Sequence, residues 1–323
     1  MAFPRNVSFT FTLSGVPELG DNQTFLAFPL CVLYTIALLG NSTILYVIHG
    51  GEGFRQPMYI LLSMLALTDL AVSLTSLPTM LGIFCFNYNQ VHFESCLTQM
   101  FFLHTFAAME SGVLVAMAVD RLIAIWDPLR YASILTSSVI AKFRLVIVIR
   151  GICVVFPVPI LTRRFPFCKS HVLLHSYCLH QDVIRLACAD TAVNSWYGLI
   201  AVLLTKGVDS MFIVVSYGMI LWTVFGIKTN DARIKAFNTC VCHMCAVLLF
   251  YIPLIGLSVV HRFGKHAAPL VPILMADIYL LVPPVINPVI YSIKTKQIRR
   301  KILKVLKQPK VGIPDNGIAV ITV

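Results

Sequence analysis

The chain is 323 residues long, 58% hydrophobic and only 12% charged, with a mean hydropathy of +0.84. Soluble domains carry roughly 25% charged residues, so this composition excludes a water-soluble globule and points to a membrane protein. A formal net charge of +11 would suit nucleic acid, but the cations gather in and after the gaps between apolar runs, which excludes a nucleic-acid partner.

Ahead of the first apolar run, Asn6-Val7-Ser8 and Asn22-Gln23-Thr24 are glycosylation sequons. They make Asn6 and Asn22 candidate carriers and agree with an amino terminus outside the cell. Met1 to Ser8 lacks the apolar stretch of a cleavable signal, so the first span is expected to serve as an uncleaved signal-anchor. A hydrocarbon core of about 30 Å needs about 20 apolar residues to cross. Such runs are predicted over 24–50, 58–84, 96–125, 143–162, 194–226, 234–260 and 270–293. Arg130, Lys142 and Arg144 lie between the third and fourth runs or on the first residues of the fourth, Lys228, Arg233 and Lys235 between the fifth and sixth or on the first residues of the sixth, and Lys294, Lys296, Arg299, Arg300, Lys301, Lys304 and Lys307 are among the cations that follow the seventh. By the positive-inside rule these segments are cytoplasmic. The expected architecture is an all-α membrane protein of one domain over 1–323. Residues 1–23 form an extracellular terminus, 24–293 a seven-helix bundle in the plasma membrane, and 294–323 an amphipathic helix and cytoplasmic tail.

In the second and third runs Asp69 and Glu110 are acids at mid-membrane depth. Such residues cost at least ~2.5 kcal/mol on insertion scales and are functional candidates by default. The pair could share a cation or a proton, or each could be satisfied by neighbours such as Asn41, Ser63 or Asn287. At ~1.5 Å of rise per residue, Arg121 lies about 37 Å along the helix from Cys96, so Asp120 and Arg121 belong at the cytoplasmic boundary. His104 is only about 12 Å from Cys96 on the same scale, within reach of a molecule entering from outside; the alternative is a packed core histidine.

Of ten cysteines, Cys96, Cys168, Cys178 and Cys188 fall in outer loops, where disulfides are permitted; four cysteines allow three pairings, and their positions choose none. In the fifth run Lys206 and Asp209 stand three apart and are expected to pair on one helical face. "CVCHMC", Cys240 to Cys245, resembles a metal motif, but on a helix Cys240 and His243 share one face while Cys242 and Cys245 share another, which rules against a tetrahedral ion. In "LIGLSVVHRFGKH" Ser258 and Arg262 share a face four residues apart, a polar clamp whose natural guest is an anion, unless Arg262 snorkels to water. Pro284 and Pro288 break backbone bonds in the seventh run and offer a hinge. "KQIRRKILKVL" then places Ile298, Ile302, Leu303 and Leu306 at helical spacing, an amphipathic helix for the anionic inner leaflet of membrane lipid.

Taken together, "MAVDRLIAIWDPLRY" (117–131), Ser216-Tyr217, "KAFNTCVCH" (235–243), "PPVINPVIY" (283–291), Gly40-Asn41 and "PMY" (57–59) resemble the vertebrate odorant receptors of the rhodopsin-like superfamily. "RRFPFC", "YCLHQDVIRLACAD" and "FYIPLIGLSVVHRFG" are similar to the fish-like class I receptors, in particular the family 51 group. The resemblance implies a non-enzymatic receptor without a cofactor, whose partners are a small odorant and a heterotrimeric G protein of the stimulatory type that raises cAMP. It implies pairing of Cys96 with Cys178 and of Cys168 with Cys188. It assigns His104, Gln181, Ser258 and Arg262 to the odorant pocket, with Arg262 as counter-ion for a carboxylate. Asp69 and Glu110 match the family's sodium-site acids, which makes Na+ an allosteric ion. Asp120, Arg121, Tyr217, His243, Asn287, Pro288 and Tyr291 match the switch that opens the cytoplasmic face. Three residues depart from the pattern: Leu122 stands where an aromatic is usual, Trp126 where a small residue or Cys is usual, and Lys206 where no charge is expected. The first two bear on coupling and the third on ligand class. The competing class is an ion-coupled transporter or channel using Asp69 and Glu110 as a relay. It sits poorly with seven spans and with the lack of a visible inverted repeat.

Overall fold

A computed structural model describes residues 9–50, 56–168, 171–263 and 270–307. Strand β1 (Thr10–Leu13) and a 3-10 segment (Pro17–Leu26) lead into α1 (Ala27–His49), α2 (Pro57–Phe86), β2 (Gln90–His92) and α3 (Phe93–Trp126). Then come α4 (Tyr131–Ile134), α5 (Ser137–Val155), α6 (Pro157–Thr162), β3 (Val172–Leu173), α7 (His180–Arg185) and α8 (Ala192–Val202). A π turn (Leu203–Gly207) joins α8 to α9 (Val208–Phe225), and α10 (Asn230–Phe263), α11 (Leu270–Lys294) and α12 (Lys296–Lys307) complete the described chain. Among the described residues, seven helical segments are long and apolar enough to cross a membrane: Asn22–His49, Pro57–Phe86, Phe93–Trp126, Ser137–Thr162, Ala192–Phe225, Cys240–Ser258 and Leu270–Lys294. The protein is a seven-helix membrane bundle followed by a short helix, and α3 is its centre. Two-thirds (67%) of the most apolar part of α3 is buried against 22% for the α8–α9 span, whose other faces are left for lipid.

Two expected boundaries shift. The fourth span begins at Ser137 rather than 143, with Thr136 as N-cap accepting from the Val139 N–H at 3.4 Å, so Lys142 and Arg144 ride exposed on its first turns. Likewise α10 begins at Asn230 and carries Arg233 and Lys235. Long cationic side chains reach water from a helix end without terminating it, which is why both helices start ahead of their apolar runs.

Helix α11 holds three internal prolines. Pro288 has no N–H for the carbonyl of Pro284; Asn41 Nδ2 on α1 donates to that oxygen at 2.8 Å. The bond needs close helix approach, and Gly40 permits it: a Cβ there would sit 2.9 Å from the Pro288 ring. At its other end α2 closes on Asn87, left-handed at φ 51°, whose N–H bonds to Gly82, a conformation asparagine tolerates better than most residues.

One end of the bundle carries a cap that periodicity did not announce. β1 lies between β2 (antiparallel, Thr10↔His92) and β3 (parallel, Thr12↔Val172). Phe11 is fully buried in a cluster with Phe9, Phe93 and Phe167. Disulfides Cys96–Cys178 and Cys168–Cys188, with Cα separations of 5.5 and 5.9 Å, fasten the loop between α6 and α8 to α3 and to itself. At the opposite, basic end α12 packs back on the bundle through buried Ile298 and half-buried Ile302, and Tyr59 donates to Gln297 Oε1 at 2.7 Å. Leu303 is exposed on its outer side, and the Leu306 side chain lies outside the described residues.

Candidate functional site

Under the disulfide cap, α7 is held in place by its own acid. Asp182 accepts from the Leu174 N–H at 3.1 Å and pairs with His175, while the Cys178 N–H donates to Gln99 Oε1 on α3 at 3.0 Å. This sets His180, 8% exposed, against Gly198 of α8, where a Cβ would stand 2.9 Å from the imidazole. Burial disfavours the charged form and lowers the His180 pKa to about 4. His104 of α3 is half-buried in the same region, within electrostatic reach of His180 and Lys206, and its Nε2 has no described partner. Of the other pocket candidates, Gln181 is exposed on α7 and Ser258 is half-buried, donating to its own helix at Leu254 O (2.8 Å). The side chain of Arg262 lies outside the described residues. His180 had escaped notice, although it directly precedes Gln181.

The middle of the bundle corrects one expectation. Asp209 does not pair with Lys206; it takes Arg150 of α5 in a two-pronged ion pair, Nη1–Oδ1 2.5 Å and Nη2–Oδ2 2.6 Å. The π turn is the reason. The Val208 N–H reaches back five residues to Leu203 O, so positions three apart are rotated out of the α-helical stacking that the pairing assumed. Ser111 of α3 donates to Asp209 Oδ2 at 2.7 Å and lies 2.8 Å from Tyr251 Oη of α10, so one buried carboxylate joins four helices. Gly112 leaves room for the guanidinium, since a Cβ there would be 3.0 Å from Arg150 Nη2. Arg150 was legible as a cation inside the apolar run "VIVIRGICVV".

Asp69 is fully buried and accepts from Asn287 Nδ2 at 3.1 and 3.4 Å, leaving Asn287 Oδ1 without a described partner. Glu110, also buried, lies within electrostatic reach of Asp69 and Lys206. These oxygens are the donor type a hard cation takes. No group of three His, Cys, Asp or Glu side chains able to hold a metal ion occurs among the described residues, and within "CVCHMC" His243 is otherwise engaged. Its Nδ1 is 2.7 Å from Tyr217 Oη and its Nε2 3.0 Å from Leu114 O, tying α10 to α9 and α3.

At the basic end Asp120 and Arg121 pair at 3.0 Å, and Tyr131 donates to the other carboxylate oxygen at 2.6 Å. Burial and the adjacent Asp120 raise the Tyr131 phenol above its usual range. The loop between α3 and α5 thus closes on the acid of α3 through Tyr131, the last residue of the "MAVDRLIAIWDPLRY" motif. Tyr291 is buried nearby with its hydroxyl unpartnered among the described residues. Leu122 packs beside Ile220, Val224 and Cys240, whereas Trp126 is 63% exposed. Of the glycosylation candidates, Asn22 is exposed and Asn6 lies outside the described residues.

Comparison with known proteins agrees with this layout. The structure matches squid rhodopsin with a TM-score of 0.72 over 88% of this chain and 80% of that one, at 14% identity, which speaks to fold alone. The chain is 51% identical over 297 residues to Olfactory receptor 51G2 of Homo sapiens (92% of this chain, 95% of the relative). It is 53% identical over 289 residues to Olfactory receptor 51H1 of Homo sapiens (89% and 96%), and 50% over 298 to Olfactory receptor 51E2 of Homo sapiens (92% and 93%). A family model described as olfactory receptor matches residues 30–309. The chain therefore belongs to the olfactory receptor family, multi-pass membrane receptors rather than enzymes.

Proposed function

We propose that this receptor sits in the plasma membrane with its disulfide cap outside. It binds a small carboxylate beneath that cap and activates a stimulatory G protein that raises cAMP. The observation that carries the ligand reading is the polar set beneath the cap: His104 with an unpartnered Nε2, His180 within electrostatic reach of it, and Ser258 on α10 one turn before Arg262. Arg262 supplies the counter-ion and Gln181 a further hydrogen bond from α7. Orientation rests on the cations at the opposite end and on exposed Asn22, the proposed glycan carrier together with Asn6. Sodium is the proposed allosteric ion, held by Asp69, Asn287 Oδ1 and Glu110, with Lys206 a built-in competing cation within reach of Glu110.

Activation follows from differential affinity. Ligand between α3, α8–α9 and α10 favours the arrangement in which α10 leaves Tyr217 and Leu114 behind, breaking the His243 bonds, while Arg121 exchanges Asp120 for the G protein. Pro288 and Asn287 supply the hinge in α11, and Tyr291 takes the freed contacts. Expressing cells challenged with straight-chain acids, alcohols and esters should show cAMP responses confined to the acids. A response to alcohols alone, or ion flux without cAMP, would overturn the proposal in favour of a neutral ligand or of the transporter class.

A further inference from the structure

We infer that Lys206, Tyr279 and His104 form a polar floor to the pocket that accepts a neutral oxygen, carbonyl or hydroxyl, carried at the inner end of the ligand. The inference rests on the carboxylate proposal above only for the ligand's outer end.

Lys206 is 7% exposed, deep in the α8–α9 span. An ammonium carries three donors, and the obvious acceptor, Asp209, is already filled by Arg150 and Ser111. Among the described residues Lys206 makes no hydrogen bond or ion pair; its ammonium lies over the face of Tyr279 on α11, 5.6 Å from the ring centroid. A buried ammonium without an acceptor is costly, so the site is incomplete without one. Two further groups also lack an acceptor or donor. Tyr279 Oη and His104 Nε2 are buried without hydrogen-bond partners, and His104 is within electrostatic reach of Lys206. Three helices thus bring unsatisfied polar groups to one region directly inside the proposed pocket.

The charge of the guest follows from the neighbours. Glu110 and Asp209 both act on Lys206, so its charge is already offset. A second carboxylate at this depth would meet those two acids as well as the ammonium. A neutral oxygen meets no such opposition, and Lys206, Tyr279 and a protonated His104 nitrogen can all donate to it. The ligand class is therefore a medium-chain carboxylic acid bearing a carbonyl or hydroxyl towards its far end.

The test uses the full receptor in a cAMP assay, with octanoic acid, its oxo and hydroxy derivatives at successive positions, and octanedioic acid, surface staining being recorded throughout. At the best position the oxygenated acid should be about tenfold or more as potent as octanoic acid, the worth of one charge-assisted bond, and octanedioic acid should be weaker than both. In Lys206→Met that potency ratio should collapse to about one, and Lys206→Gln, which keeps a donor, should hold part of it. Equal potency of plain and oxygenated acids at every position, a ratio unmoved by Lys206→Met, or a preference for octanedioic acid would overturn the inference. Ketones and alcohols run in parallel separate the two proposals. If no acid activates but a neutral ligand does, loss of that response in Lys206→Met supports the floor while the carboxylate reading fails; an unchanged response overturns both. Should Lys206→Met fail to reach the surface, the same ratio is read in Tyr279→Phe.

Discussion

Removing Arg150 should destabilise this receptor more than removing almost any other charge. Asp209 has a side chain 3% exposed and accepts three bonds, two from Arg150 at 2.5 and 2.6 Å and one from Ser111 at 2.7 Å. In Arg150→Met the carboxylate keeps Ser111 alone, and a buried charge stripped of its partner costs about 3–5 kcal/mol. At roughly 2 °C per kcal/mol for a chain of this size, the detergent-solubilised receptor should melt roughly 6–10 °C lower. Asp209→Leu should cost about as much, because it strands a guanidinium whose side chain is 27% exposed. The double variant Arg150→Met with Asp209→Leu leaves no charge unpaired, and replacement of a buried ion pair by apolar residues is often neutral. It should recover most of the loss. Thermal melts of the four receptors form a double-mutant cycle. If the single losses simply add in the double variant, the pair is not the unit described here and the four-helix junction on Asp209 is refuted.

Two further predictions concern the ends of the bundle. Tyr131→Phe removes a hydrogen bond to a carboxylate, worth about 1.5–3 kcal/mol, from the lock on Asp120. Ligand-free cAMP per surface receptor should rise about tenfold, and an unchanged basal level would show that the inner loop does not hold the resting state. For His180 the sign is set by burial. With the folded pKa lowered to about 4 and an unfolded value of about 6.5, the unfolded chain binds the extra proton between those limits. Stability is therefore full above about pH 6.5 and declines as pH falls towards 4, by up to about 3 kcal/mol. Melting curves of the wild type and His180→Asn at pH 7.5 and pH 5 should diverge at neutrality and converge in acid; a constant gap would contradict the buried neutral imidazole.

The spans were legible because crossing a bilayer demands length and apolarity at once, and few sequences meet both by accident. Their ends were less so, since Lys142, Arg144, Arg233 and Lys235 continue helices into water instead of ending them. Hydrophobic periodicity could not announce the cap. "TFTL" is four residues long and becomes a strand only through partners at positions 90–92 and 172–173. Lys206 and Asp209 show the limit of spacing as evidence. The residues stand as near in sequence as a helical pair should, yet a π turn and an arginine on another helix took the carboxylate away. The rule that an ionisable residue in a span signals function holds for Arg150 as well, a cation set in "VIVIRGICVV". Motif resemblance grouped Asp120, Arg121, Tyr217 and His243; in the structure Asp120 pairs with Arg121 and Tyr217 with His243, while Tyr131, which closes on Asp120, appears only in three dimensions.

The central claim is recognition of a carboxylate by an olfactory receptor that signals through cAMP. The most direct test is a dose–response series of straight-chain acids on the wild type and Arg262→Ala at matched surface levels. The account predicts micromolar responses that strengthen with chain length by about 0.8 kcal/mol per buried methylene up to the limit of the pocket. It further predicts their loss by about tenfold or more in Arg262→Ala. Potency independent of both chain length and Arg262 would contradict it.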